Sequence, residues 1–170
     1  YYSKFEDFKE IAHNIKVKYT SLMSEYPAPD FELNDINNQT VSLSDFKGKY
    51  VYLNFATTWC TPCEEEFNLM KSVQEKFKDS LEIVTIICDS SINDMKKFLD
   101  EHNYSWTFLH YAGNHKLLRD YHVRNYPRYF VIDKEGLLYF SPAVAPSEDF
   151  SKKFFYSFKH GVKSTDLLFD

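Results

Sequence analysis

The apolar positions change rhythm along this chain, and each rhythm predicts an element. Phe5, Phe8, Ile11, Ala12, Ile15, Tyr19, Leu22 and Met23 recur at helical spacing, so residues 3–24 are predicted as an amphipathic helix. Ser3 and Glu6 supply a capping box at its start. The stretch YPAPDF at 26–31 stops it, because residues before proline avoid the α region. The pattern over 31–43 reads as a hairpin with residues 35–38 as its turn. KGKYVYLNFA then predicts a strand, in which Tyr50, Tyr52 and Asn54 alternate with Val51, Leu53 and Phe55.

Period 3.6 returns over 64–79, where Phe67, Met70, Val73 and Phe77 share one face. LEIVTIIC at 81–88 is a continuous apolar, β-branched run, as a parallel strand buried on both faces requires. Ser91 and Asp94 can cap a helix to about residue 103, with Ile92, Met95, Phe98 and Leu99 inward. WTFLHY predicts a short extended piece and NHKLLRDYHV a short helix. RYFVIDKEGLLYF reads as a hairpin turning at 133–136, and 147–160 as a helix that Gly161 closes. Alternating strands and helices followed by a hairpin predict an α/β fold: a mixed sheet with helices on both faces.

Composition narrows this little. The chain has 170 residues, enough for one domain with an extra helix or two. Its net charge is −5, with no basic block, which argues against a nucleic-acid or anionic-membrane surface. No apolar run approaches the roughly 20 residues that span a bilayer. The first ten residues, YYSKFEDFKE, carry neither an initiator Met nor a leader pattern. The expectation is therefore a piece of something longer.

Chemistry enters at TTWCTPCEEEF, residues 57–67. Cys60 and Cys63 are the only close pair among three cysteines, and Cys88 stands alone at the end of an apolar strand, where a buried, inert thiol is expected. Placed at a helix mouth, Cys60 would face unsatisfied backbone N–H groups and the positive end of the helix dipole. Both would draw its pKa below the roughly 8.5 of a free thiol. Cys63, one turn on, could attack a mixed disulfide at Cys60. Pro62 sits where its missing N–H costs nothing. A zinc site would want two further ligands at short spacing, and the six histidines are scattered. Redox chemistry is the favoured reading, with a metal site and inert packing as the alternatives. Glu66, three residues after Cys63, returns to the same helix face. A partly buried carboxylate there would have a raised pKa and could take the proton that Cys63 must lose.

The segment APDFEL…TVSLSDFKGKYVYLNFATTWCTPCEEEF resembles the TlpA/ResA-type thiol–disulfide oxidoreductases of the thioredoxin-like superfamily. The resemblance runs from about residue 28 to 158, and its W-C-x-P-C core is highly specific. Asn38, Ala56–Thr57 and Asn68 depart from the family pattern, none of them a redox group. Asn54 stands where thioredoxin keeps a buried aspartate.

The resemblance implies a thioredoxin-like domain over 27–170, preceded by a helix over 1–26 that belongs to it or ends an earlier domain. It implies Cys60, Cys63 and Glu66 as catalytic residues. Trp59, Tyr126 and Pro127 become substrate-contact residues, with the Tyr126–Pro127 bond cis and Trp59 on a docking rim. The implied partners are a protein disulfide substrate and a membrane electron donor, on the periplasmic side of a bacterial inner membrane. A monomeric domain without metal or cofactor is expected. Two competitors share the fold. In a thiol peroxidase, Thr57 would fit, but Leu53 occupies the place of a required proline. A copper(I) carrier would add a distal His to the thiolates, for which His110 and His122 are weak candidates at a Cys spacing shorter than such proteins use.

Overall fold

A computed structural model of the chain describes residues 24–161. The amphipathic helix expected over 3–24 lies outside them, save Ser24. Seven strands form one mixed sheet: β1 (Glu32–Asn34), β2 (Thr40–Ser42), β3 (Tyr50–Ala56), β4 (Leu81–Ile87), β5 (Thr107–His110), β6 (Arg128–Ile132) and β7 (Leu138–Ala143). Among the described residues four α-helices accompany them: α1 (Thr61–Phe77), α2 (Ile92–Glu101), α3 (His115–Asp120) and α4 (Phe150–His160). The sheet order is β2-β1-β5-β4-β3-β6-β7. β3, β4 and β5 run parallel, while the two hairpins extend the sheet antiparallel at either edge.

Both central strands are buried on both faces, which explains why β4 reads as an uninterrupted apolar run. One face of β3 presents Tyr52 and Ala56 to a core shared with Cys63, Phe67, Met70, Val73 and Phe77 of α1, Met95 and Phe98 of α2, and Phe150 and Phe154 of α4. The other presents Val51, Leu53 and Phe55 to Leu117 of α3, Tyr121 and the stretch from Ala28 to Leu43. Aromatic rings fill much of the first layer. Tyr52 lies between Phe150, 3.9 Å away at 11°, and Tyr129, 5.4 Å away at 20°.

Three local features differ from the reading by periodicity. α1 starts at Thr61, three residues early, because Cys60 acts as its N-cap and Pro62 fits its first turn. The helix expected over 147–160 is split: a 3-10 turn (Pro146–Glu148) comes first, then Asp149 in the left-handed region (φ 63°), and α4 follows. Apolar periodicity cannot register a single residue of reversed handedness. A second cis bond, Ser141–Pro142, joins the expected Tyr126–Pro127. Elsewhere the turns are as anticipated. Asn38 stands at φ 61°, its Oδ1 accepting from Asn34, so asparagine serves where a glycine is common. Residues 24–27 run along β7, with the Glu25 N–H donating to the Leu138 carbonyl and Pro27 bridging Leu137.

Candidate active site

β3 delivers the chain to the C-terminal edge of the sheet, where four residues lead into α1. The Cys60 sulfur occupies the N-cap position and accepts the Cys63 N–H at 3.2 Å. That contact brings sulfur to the unsatisfied amides and positive pole of a 17-residue helix. Cys60 and Cys63 are joined as a disulfide, with Cα atoms 5.2 Å apart. Cys60 keeps 8% exposure and Cys63 none. The two cysteines are therefore unequal in exposure, the outer residue retaining a little and the inner one fully buried.

Trp59 is 73% exposed beside this pair. Its ring meets Tyr126 edge to face at 6.4 Å, and Tyr126 leads through the cis bond into Pro127 and β6. Trp59, Tyr126 and Pro127 are thus neighbours on one rim. Behind Tyr126 lies Cys88, whose amide donates to the Ala56 carbonyl at 2.8 Å one residue past β4. Burial pushes the Cys88 thiol up to about 12, against the pull of the Tyr126 hydroxyl beside it. Burial, and next the Cys88 sulfur, raises the Tyr126 hydroxyl above the usual tyrosine range. At pH 7 the Cys88 thiolate is scarce by roughly a thousandfold relative to a free thiol. Carbamidomethylation of Cys88 in the reduced native protein should accordingly run at least ~100-fold slower than in urea, read by peptide mass spectrometry. Comparable rates in the two conditions would contradict this.

Glu66 is half-buried, one turn beyond Cys63 on α1. Its carboxylate accepts from the Ser147 N–H at 3.0 Å and from the Ser147 hydroxyl, tying the first turns of α1 to the 3-10 turn at Pro146–Glu148. It also acts electrostatically on Tyr52 and Tyr129, whose hydroxyls are raised chiefly by burial and further by this charge. Nothing in the local pattern around 66 announces Ser147, 81 residues away. Asn54, fully buried on β3, pairs across the ladder with Tyr129. The Asn54 Oδ1 and the Tyr129 hydroxyl are both buried without a hydrogen-bond partner.

Asp89 is the residue that reading the sequence missed. It is 4% exposed, and its carboxylate accepts the Thr58 N–H at 2.8 Å and the Thr58 hydroxyl at 2.9 Å. The available signal was its place directly after an apolar strand that runs parallel to the one before the cysteines. His110, a candidate copper ligand, donates Nε2 to the Asp89 carbonyl at 2.8 Å. His122 lines a separate cleft with His115, Leu118 and Arg124. Among the described residues no three His, Cys, Asp or Glu side chains are grouped to hold a metal ion, and no helix is long and apolar enough to cross a membrane.

Residues 25–141 match the AhpC/TSA family. The thioredoxin-like protein YneN of Bacillus subtilis is 32% identical over 124 residues, covering 71% of this chain and 72% of that protein. The thiol-disulfide oxidoreductase ResA of Bacillus thuringiensis is 34% identical over 110 residues, 64% of this chain; the match spans 63% of the length of that relative. The crystal structure of the exposed lipoprotein thioredoxin Etrx1 of Streptococcus pneumoniae superposes with a TM-score of 0.65 at 30% identity, covering 75% of this chain and 99% of that one. The chain belongs to the AhpC/TSA family of thioredoxin-like proteins, and within it to the ResA-type thiol–disulfide oxidoreductases.

Proposed function

We propose that this chain exchanges disulfides with a protein partner through a mixed disulfide at Cys60, which Cys63 resolves. The observation that carries this reading is the disulfide between a slightly exposed cysteine on a helix N-cap and a fully buried one a turn away. In the reduced protein the Cys60 thiolate attacks one sulfur of the partner's disulfide, forms the mixed disulfide and expels the other partner sulfur as a thiolate. Cys63 then loses its proton, attacks the Cys60 sulfur and expels the second partner thiolate. Two electrons have passed to the partner, and the Cys60–Cys63 disulfide is restored.

Glu66 is assigned as acceptor of the Cys63 proton, by virtue of its place on the same helix face. Its carboxylate is held by the Ser147 N–H. Glu66→Gln should slow resolution about tenfold with little change in stability; an unchanged pH–rate profile would remove the role. Trp59, Tyr126 and Pro127 form the rim against which an extended partner segment lies, the aromatic pair supplying contact area.

Completing a cycle requires an external donor of two electrons, assigned here to a membrane partner on the periplasmic side of a bacterial inner membrane. The exposed-lipoprotein relative supports an extracytoplasmic setting. Reduction of insulin disulfides tests the activity: a rate no faster than dithiothreitol alone would sink it. The direction of electron flow follows from the potential of the pair in a glutathione buffer. A value near about −270 mV makes the protein a reductant, and one near about −120 mV an oxidant.

A further inference from the structure

Asp89 combines three properties that packing alone does not require. It is nine-tenths buried, its carboxylate is engaged by two neutral donors of a single residue, and no ion pair joins it to a cation among the described residues. Burying a carboxylate this way is costly without a compensating charge. An asparagine would be the cheaper occupant by charge, yet it offers one acceptor where Thr58 presents two donors.

The location gives the arrangement a use. Thr58 lies two residues before Cys60 and one before Trp59, in the short connection between β3 and α1. Asp89 leaves the neighbouring strand β4, and its own carbonyl is held by His110 at the end of β5. The connection that presents the redox pair is therefore fastened to the ends of two adjoining strands. A cleft of about 360 Å³ opens beside it, lined by Trp59, Asp89 and, from α2, Asp94, Lys97 and Glu101. The charged and titratable groups around Asp89 are these three of α2, His110 of β5, and Cys88 with Tyr126 behind it.

We propose that Asp89 is a positioning residue for the redox pair: its carboxylate fixes the Thr58 turn that presents Cys60, and its buried negative charge opposes ionisation of Cys60. The proposal rests on the exchange reading given above, in which the Cys60 thiolate is the attacking group. The α1 N-terminus favours the thiolate, Asp89 disfavours it, and the balance sets how oxidising the couple is. A stabilised thiolate makes the reduced form easier to reach and the disulfide a stronger oxidant.

The test is the pH dependence of Cys60 alkylation in the reduced full chain, alongside equilibration with glutathione, for wild type, Asp89→Asn and Thr58→Val. Asp89→Asn should lower the Cys60 midpoint by about one pH unit, a tenfold gain in thiolate at fixed low pH. It should also shift the glutathione equilibrium toward the dithiol. Thr58→Val loosens the same turn but keeps the charge, so it should not lower the midpoint. An unchanged or raised midpoint in Asp89→Asn, or the same downward shift in both variants, would overturn the proposal. Should Asp89→Asn fail to fold, Asp89→Ser keeps an acceptor for Thr58 without the charge and gives the same readout. A wild-type Cys60 that reacts no faster than Cys88 at any pH would instead overturn the exchange reading itself.

Discussion

Cys63→Ser should stop the protein half-way through its cycle, accumulating a covalent adduct with its partner that reductant dissolves. The inner sulfur is fully buried and lies one helical turn from the outer one, so no other thiol can substitute for it. Cys88, the remaining candidate, is held protonated because burial pushes its pKa up to about 12. Cys60→Ser should behave differently. It removes the only cysteine of the pair that keeps any exposure, so adducts should be absent and insulin-disulfide reduction should fall at least ~100-fold. Non-reducing gels of the two variants, incubated with a disulfide-bonded protein, separate these outcomes. Normal turnover by Cys63→Ser would refute the two-cysteine scheme.

Phe67→Ala should produce the largest loss of stability with the least direct effect on sulfur chemistry. Its ring is fully buried on α1, one turn past Cys63, and meets Phe98, Tyr104, Trp106 and Phe108, all with centroids between 5.5 and 6.1 Å. Removing it forfeits the transfer energy of the ring and leaves a void lined by rigid aromatics that collapse poorly. The expected cost is about 3–5 kcal/mol, or roughly 6–20 °C in melting temperature for a domain of this size. Chemical denaturation followed by circular dichroism measures it. A loss below about 1 kcal/mol would show that the aromatic layer repacks freely, against the interlocked geometry described above.

Much of the fold was visible in the sequence because its signals are local. Both hairpin turns, the double-sided burial of β4 and the capping of α2 by Ser91, which accepts the Asn93 N–H at 3.1 Å, depend on residues within a few positions of each other. The CxxC was legible for the same reason, since Cys60, Pro62 and the helix start lie in one turn. What escaped depends on pairing across the sheet. That β1 would dock against β5 follows from packing that no periodicity records. The Asp89–Thr58 contact exists only because β3 and β4 run parallel, bringing together positions 31 residues apart. Glu66 could be placed one turn beyond Cys63, yet its attachment to Ser147, 81 residues away, has no local signal.

The parallel run of β3, β4 and β5 has one more consequence. Their carboxyl ends open on a single margin of the sheet, so Trp59, Asp89 and His110 gather there while the aromatic layers fill the space between strands and helices. Under the proposed function, recognition and folding thus fall in separate territories. Trp59, being 73% exposed, can be exchanged for other side chains at little thermodynamic penalty. A lineage built on this scaffold can therefore change its clientele by drifting along the margin while its interior stands still.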